Sequence, residues 1–269
     1  MTTPRGRLAL GVFSALVVAF LVLPIVLILV YAFNPSNVQS WPLHGLSTKW
    51  FSQTWHNEAM RQAFWLSIKA ALISTAIAMT LGSMAAFAVH RFRFFGREAV
   101  SLLLVLPLAL PGIITGMALN SFFTFRGINF SLVTIVIGHA TFCIVAVYNN
   151  VVARLRRTQA SLLEASADLG ADGWQTFRHV TLPTVSSALA AGGLLAFALS
   201  FDEVIVTTFT AGAQNTLPLW IFGNIRLGQN LPQVNVVVLF VVLLTLIPVI
   251  LAQRLSRDTG ALRAPTTTP

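Results

Sequence analysis

The chain carries little charge. Only 9% of its 269 residues are charged, whereas 56% are hydrophobic. An ordinary soluble domain carries about 25% charged residues, because its water-facing surface requires them. The mean hydropathy is correspondingly high, at +0.79. The composition therefore excludes an ordinary soluble domain and predicts a polytopic membrane protein.

Cysteine and lysine are also scarce. Cys143 is the only cysteine, which excludes a disulfide within the chain and a zinc site built on clustered cysteines. The only lysines, Lys49 and Lys69, do not stand in the pattern G-x4-G-K-[ST] that forms a phosphate-binding loop. The chain is therefore predicted not to hydrolyse ATP by itself. The sequence shows no arrangement of a nucleophile and a base, so we predict no catalytic residue, metal ligand or cofactor.

The chain contains long apolar stretches with few charged residues. A helix needs about 20 apolar residues to cross a bilayer, and six stretches are long enough. The first follows Arg5 and Arg7, exceeds the length of a signal-peptide core and lacks a cleavage site, which indicates a retained span. Pro107 and Pro111 are expected to kink or break the third. The predicted spans cover about residues 8–33, 64–89, 99–119, 131–152, 187–209 and 234–252.

The basic residues predict how these spans are oriented. Two arginines precede the first span, three lie at 90–98, four at 153–186 and three near the C-terminus. Cytoplasmic loops are enriched in Lys and Arg, so both termini and the 153–186 loop are predicted to be cytoplasmic. The net charge of +9 thus arises at the ends of apolar runs and indicates no nucleic-acid partner. The opposite loops hold four basic residues, namely Lys49, Arg61, Arg126 and Arg226.

Two loops on the opposite side differ in composition. Residues 210–233 hold several Gly and Pro residues and predict turns around one short helix at 217–225. Residues 34–63 are poor in charge and rich in aromatics, which favour the membrane interface. We expect a helix lying on the outer surface there, with direct aromatic contact to a substrate as the alternative. The aromatic residues concerned are Trp41, Trp50, Phe51 and Trp55.

The longest polar interruption in the second half of the chain covers residues 162–183. Gly170 divides it into two short predicted helices, because glycine suits the left-handed residue that ends a helix. The predicted result is a compact helix–turn–helix on the cytoplasmic face. Its small residues would let the backbone of another protein approach closely, and these are Ala165, Ser166, Ala167 and Gly170.

Capping patterns predict where these two helices begin and end. Ser161 with Glu164 fits a capping box at the start of the first helix. Asp172 fits the cap of the second helix. Leu182-Pro183 is expected to end that second helix just before the fifth span.

The same segment resembles the signature E-A-A-x3-G-x9-I-x-L-P of the permease subunits of bacterial ATP-binding-cassette importers. Every spacing is kept. Ser166 replaces the second Ala of the signature, and Val180 replaces Ile. The matching residues are Glu164-Ala165-Ser166, Gly170, Val180 and Leu182-Pro183.

The resemblance implies an all-α type I importer permease fold with six transmembrane helices and both termini in the cytoplasm. It implies a permease domain at residues 1–258, whose coupling helices at about 158–183 dock on a separate ATPase subunit. The tail at 259–269 is rich in Ala, Pro and Thr and is expected to be disordered. Glu164 could alternatively serve only as a capping carboxylate. The residues implied to couple to the ATPase are Glu164, Ala165, Ser166, Asp168 and Gly170.

The resemblance also implies partners in the bacterial plasma membrane. A second permease subunit is expected to form a heterodimer with this chain. A cytoplasmic ATPase dimer is expected to bind the ATP. An extracytoplasmic substrate-binding protein is expected to deliver its ligand to the loops at 34–63 and 210–233.

Asp202 and Glu203 lie inside the predicted fifth span, in the outer half of the membrane. Placing a carboxylate near the middle of a span costs on the order of 2.5–3.5 kcal/mol, so these acids need a partner, water or a function. Three interpretations stay open. One acid forms an ion pair with Lys69 of the second span, at least one faces a translocation path and attracts a cation, or the pair relays protons.

The surroundings of these acids carry a second resemblance. Residues 200–204, S-F-D-E-V, resemble the S-[FM]-D-[DE]-V stretch of spermidine/putrescine importer permeases, and 217–221 resembles their L-P-L-x-I. This implies a translocation path for polyamines with Asp202 and Glu203 along it. The coupling signature does not select a substrate, so another organic cation, an iron complex, a sugar or an amino acid is the alternative. A gradient-driven carrier and a membrane-anchored scaffold are the alternatives outside this class.

Two further features concern packing. His139 and Cys143 are four residues apart and share a face of the fourth span. A metal site needs more ligands, so ordinary interior packing is predicted for both. Gly192-Gly193 in the fifth span favours close helix contact.

Overall fold

A computed structural model describes residues 4–92 and 94–245. Over these ranges the chain forms helices and no β-strand, which confirms the predicted all-α class. The elements are α1 (Pro4–Tyr31), α2 (Lys49–His56), α3 (Glu58–Arg91), α4 (Arg97–Ala109), α5 (Gly112–Phe125), α6 (Leu132–Arg156), α7 (Ala160–Asp168), α8 (Gly173–Thr176), a π-helical turn (Phe177–Thr181), α9 (Leu182–Phe201), α10 (Ile205–Thr210), α11 (Leu217–Leu227) and α12 (Leu231–Thr245).

Four helical segments of the described chain are long and apolar enough to cross a membrane. They are α1, α3, α6 and the segment Gly173–Phe201, and they match the predicted spans 1, 2, 4 and 5. The third span is a broken pair, as predicted: α4 ends at Ala109, and Pro111 caps α5. A proline disfavours helical backbone in the residue before it, and Leu110 is accordingly extended.

The sixth predicted span is described only in its first part, α12. Residues 246–252 with Pro248, the C-terminal arginines and the predicted tail at 259–269 lie outside the described residues. The six-span count, the limits of the permease domain at 1–258 and the cytoplasmic position of both termini stay predictions.

The chain divides into two compact units, Met1–Glu58 with Ile221–Pro269, and Ala59–Trp220. In the first unit, α2 is the helix predicted for the external loop. Trp50 of α2 is buried, and its indole Nε1 donates a hydrogen bond to the carbonyl of Asn34 at 2.7 Å. Trp50 is therefore a core residue and not an aromatic contact for a substrate, whereas Trp41 and Trp55 are exposed.

Helix α1 of the first unit is apolar on all sides. Its side chains from residue 7 to residue 27 are exposed, and Phe20 is among the most exposed. A helix that is apolar all round suits a membrane span, because lipid tails can cover every face of it.

The second unit is built around α6, most of whose membrane-spanning part is buried. Helices approach it closely at glycines. A Cβ at Gly82 of α3 would stand 2.8 Å from the carbonyl oxygen of Ile144, and one at Gly192 of α9 would stand 3.2 Å from Cα of Val147. This confirms the close contact predicted for Gly192, because a larger side chain would separate α9 from α6.

Candidate functional site

The segment at residues 160–181, here called the knob, contains α7, α8 and the π-helical turn. Helix α7 ends in a Schellman motif: the N–H of Ala171 donates to the carbonyl of Ser166 at 3.1 Å, and that of Gly170 to Ala167 at 2.9 Å. Gly170 has φ +79°, the left-handed conformation that glycine adopts at low cost. The predicted helix end at Gly170 is therefore confirmed.

The two predicted caps of the knob have different outcomes. Asp172 caps α8 as predicted, since its Oδ1 accepts from the N–H of Gln175 at 2.8 Å and its N–H donates back to Gln175 Oε1 at 2.9 Å. The capping box at Ser161 and Glu164 is wrong, because α7 begins earlier, with Gln159 as its N-cap and no side-chain cap. Ser161 has helical backbone there, whereas a cap residue must lie outside the helix. Glu164 is thus an exposed carboxylate and not a cap.

Four of the five predicted coupling residues are exposed on the knob, and the fifth is buried inside it. Glu164, Ala165, Asp168 and Gly170 are exposed. Ser166 is 8% exposed, and its Oγ lies 2.9 Å from Oγ1 of Thr176, which ties α7 to α8. Ser166 therefore acts inside the knob as a brace. Two large apolar side chains add to the outer surface, Leu169 and Trp174.

Leu182-Pro183 does not end a helix, and the prediction that it does is wrong. Helix α8, the π-helical turn and α9 form one continuous apolar segment, Gly173–Phe201. The N–H of Leu182 donates to the carbonyl of Phe177, five residues back. This wider turn accommodates Pro183, which has no N–H to donate and would clash with a normal α-helical turn. A rod of 29 residues, about 43 Å long, therefore joins the knob to the far end of α9.

The far end of α9 is a helix break at residues 202–204. The fifth span was predicted as one continuous helix to residue 209, and this is wrong: α9 ends at Phe201 and α10 begins at Ile205. Glu203 stabilises the break, because its Oε1 accepts a hydrogen bond at 2.9 Å from the N–H of Val206, which α10 itself leaves unpaired. A carboxylate at a helix N-terminus also interacts favourably with the helix dipole.

The two acids of the break have different surroundings. Glu203 is half-buried and engaged with the backbone of α10, whereas Asp202 is exposed. Lys69 is exposed too, and the described residues show no ion pair between it and either acid. Asp202 is therefore the acid available to a cation, and Glu203 is the one that shapes the backbone beside it.

His139 of α6 connects the two sides of the break. Its Nδ1 lies 2.7 Å from Oγ of Ser200 in the last turn of α9, and its Nε2 lies 2.7 Å from Oγ1 of Thr207 in α10. The imidazole is 1% exposed. Cys143, one turn further along α6, is buried, with its Sγ 3.3 Å from the carbonyl oxygen of Ala196. Among the described residues no group of side chains could hold a metal ion.

Helix α10 is held closely by α5 and α6. Asn120 Nδ2 donates to the carbonyl of Phe209 at 2.7 Å, and Thr134 Oγ1 lies 2.8 Å from the carbonyl oxygen of Thr210. A Cβ at Gly116 would meet the Phe209 ring at 2.6 Å. These contacts make the short helix a fixed part of the second unit.

Comparison with known proteins identifies the family. Residues 78–260 match the family described as the binding-protein-dependent transport system inner membrane component. The match takes in the knob, α9, the break and α10, and it covers more than half of the chain. The chain belongs to this family. It is therefore a multi-pass inner-membrane transport component, and the alternatives of a gradient-driven carrier and a scaffold are set aside.

Two relatives share 35% of their residues with this chain over most of its length. The spermidine/putrescine transport system permease protein PotC of Escherichia coli is 35% identical over 255 residues, which is 94% of this chain and 96% of PotC. The putrescine transport system permease protein PotI of Escherichia coli is 35% identical over 225 residues, 80% of this chain and 79% of PotI.

A solved structure shares the fold of this inner-membrane component. It is described as a bacterial ABC transporter involved in the import of the acidic polysaccharide alginate. The TM-score is 0.67 with 17% sequence identity, over 96% of this chain and 98% of that one. At this identity the similarity supports the importer permease fold alone.

The structure of this transport component separates the predicted site residues into two groups. The exposed coupling residues lie on the knob, and Asp202 and Glu203 lie at the other end of the rod. Sequence reasoning missed the network of His139, Ser200 and Thr207. A signal was present, because three polar residues in apolar spans each need a hydrogen-bonding partner, but their pairing depends on how α6, α9 and α10 pack.

Proposed function

We propose that this chain is the permease subunit of an ATP-driven importer that carries polyamines of the spermidine and putrescine type. The observation that carries the proposal is the 35% identity to PotC over 94% of the chain. PotI, whose name gives putrescine, is similar at the same identity.

The chemistry at the helix break supports a cationic substrate. Asp202 offers an exposed carboxylate within a mainly apolar predicted span, and a polyamine carries several positive charges. Carboxylates within spans typically mark cation pathways, because they are costly to insert without such a role. In this proposal Asp202 meets the substrate and Glu203 holds the local backbone.

The knob supports coupling to a separate ATPase. The chain has no phosphate-binding loop of its own, so ATP binding and hydrolysis fall to a cytoplasmic ATPase dimer. Glu164, Ala165, Asp168 and Gly170 form the docking surface, and Ser166 braces it from inside. The continuous rod transmits movement of the knob to the break, since a helix of this kind is stiff along its axis.

Three further partner roles complete the proposed machine. A second, similar permease pairs with this chain as a heterodimer and encloses the path. An extracytoplasmic binding protein delivers the polyamine to the loops at 34–63 and 210–233. The lipid bilayer covers the remaining apolar surface.

The test is uptake by the complete transporter reconstituted in proteoliposomes with its partner permease, ATPase and binding protein. Asp202→Asn is expected to lower spermidine uptake about tenfold, because a hydrogen bond to a charged group contributes about 1.5–3 kcal/mol and about 1.4 kcal/mol is a factor of ten. Glu98→Gln, at an exposed acid of α4, serves as the matched control and should retain uptake. The proposal is contradicted if the wild-type transporter carries a sugar, an amino acid or an iron complex and no polyamine. It is also contradicted if Asp202→Asn takes up spermidine at the wild-type rate.

A further inference from the structure

A buried polar network spans the helix break from one side to the other. His139 contacts Ser200, two residues before Asp202, and Thr207, three residues after the break. Both hydroxyl residues are buried, at 2% and 0% exposure. The imidazole of α6 thus forms one hydrogen bond to α9 and another to α10.

The proton count of this network selects one arrangement. Thr207 Oγ1 donates its single proton to the carbonyl oxygen of Glu203 at 2.8 Å. It must therefore accept at its contact with His139, so Nε2 carries the imidazole proton and Nδ1 accepts from the hydroxyl of Ser200. A single neutral tautomer satisfies every polar group of the network.

Two hydrogen bonds fix the position of Glu203. Its carbonyl accepts from Thr207, and its carboxylate accepts from the N–H of Val206. Asp202 lies directly between this anchored residue and the last turn of α9, where His139 holds Ser200. The backbone that carries Asp202 is therefore fixed on both sides.

Ordinary packing does not explain a histidine at this position. An apolar side chain would fill the space in α6 without the cost of burying two polar ring nitrogens. The feature that only a two-sided hydrogen-bonding group supplies is the link between Ser200 and Thr207. We propose that His139 is a positioning residue that holds the two sides of the break in register and so aims the Asp202 carboxylate. The proposal rests on the proposed function in so far as Asp202 meets the substrate.

The first test measures the position of residue 202 without reference to any substrate. Asp202→Cys is introduced together with Cys143→Ser into the intact complex, and its reaction rate with a charged maleimide is followed on this chain by mass spectrometry. Addition of His139→Leu is expected to change that rate at least threefold. His139→Gln, which keeps one donor and one acceptor, should restore the rate to within twofold.

Matched variants keep this test decisive. Ser200→Ala removes only the hydrogen bond to His139, whereas Thr207→Val removes the one to His139 and the one to the carbonyl of Glu203. Both should shift the rate in the same direction, even where His139→Leu fails to assemble. Thr208→Val is the control, because Thr208 is exposed and donates only to the carbonyl of Val204 at 2.7 Å. An unchanged rate in the network variants, or an equal change in Thr208→Val, overturns the proposal.

The second test separates positioning from a general loss of structure. His139→Leu is expected to lower spermidine uptake per ATP hydrolysed at least fivefold in the wild-type background, but to cause no further loss in the Asp202→Asn background. Residues that act through one another are non-additive in this way, whereas independent structural effects add. Additive losses overturn the proposal. If the wild-type complex carries no polyamine, the proposed function fails while the labelling test still decides the role of His139.

Discussion

Asp202 and Glu203 are neighbours in the sequence but meet different surroundings. Glu203 turns its carboxylate to the first turn of α10, and Asp202 leaves its carboxylate exposed. The resemblance to polyamine importer permeases implied a place along the path for both. The helix break separates the two roles, because only the second residue is close enough to the free N–H groups of α10 to cap them.

The glycines also differ in their surroundings, since some stand at close helix contacts and others face open space. Gly82 lets α3 approach the backbone of α6, and no flexible side chain stands at the point of closest contact. Glycines elsewhere have open space: a Cβ at Gly223 in α11 would meet nothing within 4 Å.

Gly82→Ala is accordingly expected to lower the thermal stability of the permease. The added Cβ would stand 2.8 Å from the carbonyl oxygen of Ile144, and overpacking of this kind costs about 1–3 kcal/mol. The measurement is a melting curve of the purified complex in detergent. Gly223→Ala should leave the melting temperature unchanged or raise it, because Ala favours helix more than Gly by up to about 1 kcal/mol. Equal melting temperatures for Gly82→Ala and wild type would show that α3 and α6 do not pack as described.

At the scale of elements, the rod Gly173–Phe201 is the feature that relates the knob to the break. The π-helical turn keeps the rod continuous at Pro183, where a regular helix would have ended. The Trp174 and Phe177 rings stack with centroids 5.7 Å apart, and Phe177 meets Phe87 of α3 edge-to-face at 5.4 Å. The knob is therefore fixed to two membrane helices, which suits a part that transmits force.

Alterations of the knob are expected to uncouple ATP hydrolysis from uptake. Glu164→Ala removes an exposed carboxylate from the proposed docking surface, and Gly170→Val forces a β-branched residue into the left-handed end of α7. Uptake per ATP hydrolysed should fall at least fivefold in both, while the chain still reaches the membrane. Gly127→Val is the control, since Gly127 has φ +64° but lies outside the knob. Normal coupling in both knob variants would refute the docking assignment.

At the scale of the molecule, the arrangement is that of an importer subunit which depends on partners. The second unit has a packed interior around α6, whereas α1 of the first unit exposes apolar side chains along most of its length. Such apolar surfaces need lipid or further subunits to cover them, because their exposure to water is unfavourable in free energy.

The orientation of the whole chain is open to direct measurement. In a Cys143→Ser background, Leu169→Cys is expected to react with an impermeant thiol reagent only in inverted vesicles, because the arginine distribution predicts a cytoplasmic knob. Trp41→Cys should react only in right-side-out preparations. Both positions are exposed, at 89% and 73%, so access differs by side and not by burial. Reaction of both positions from the same side would contradict the predicted topology.

Apolar run length, charge and motif spacing were sufficient to predict several structural features of the chain. The apolar runs predicted helical spans. Local patterns predicted the break at Pro111, the end of α7 at Gly170 and the cap at Asp172, since each of these depends on residues within a few positions of one another. The same local rules were wrong at Ser161, because several starting residues for α7 compete and only packing of the knob chooses between them.

What the tertiary structure alone decided is the shape of the fifth span. The predicted fifth span ran through Asp202 and Glu203 to residue 209, and the helix before it was predicted to end at Pro183. In the structure the helix continues through Pro183 and ends at Phe201. Glu203 stabilises the break at 202–204 locally, and His139, Asn120 and Thr134 on other helices add contacts to Ser200 and to the short helix α10. Those partners lie more than 60 residues away in sequence, so their contact follows only once α5, α6 and α9 are packed.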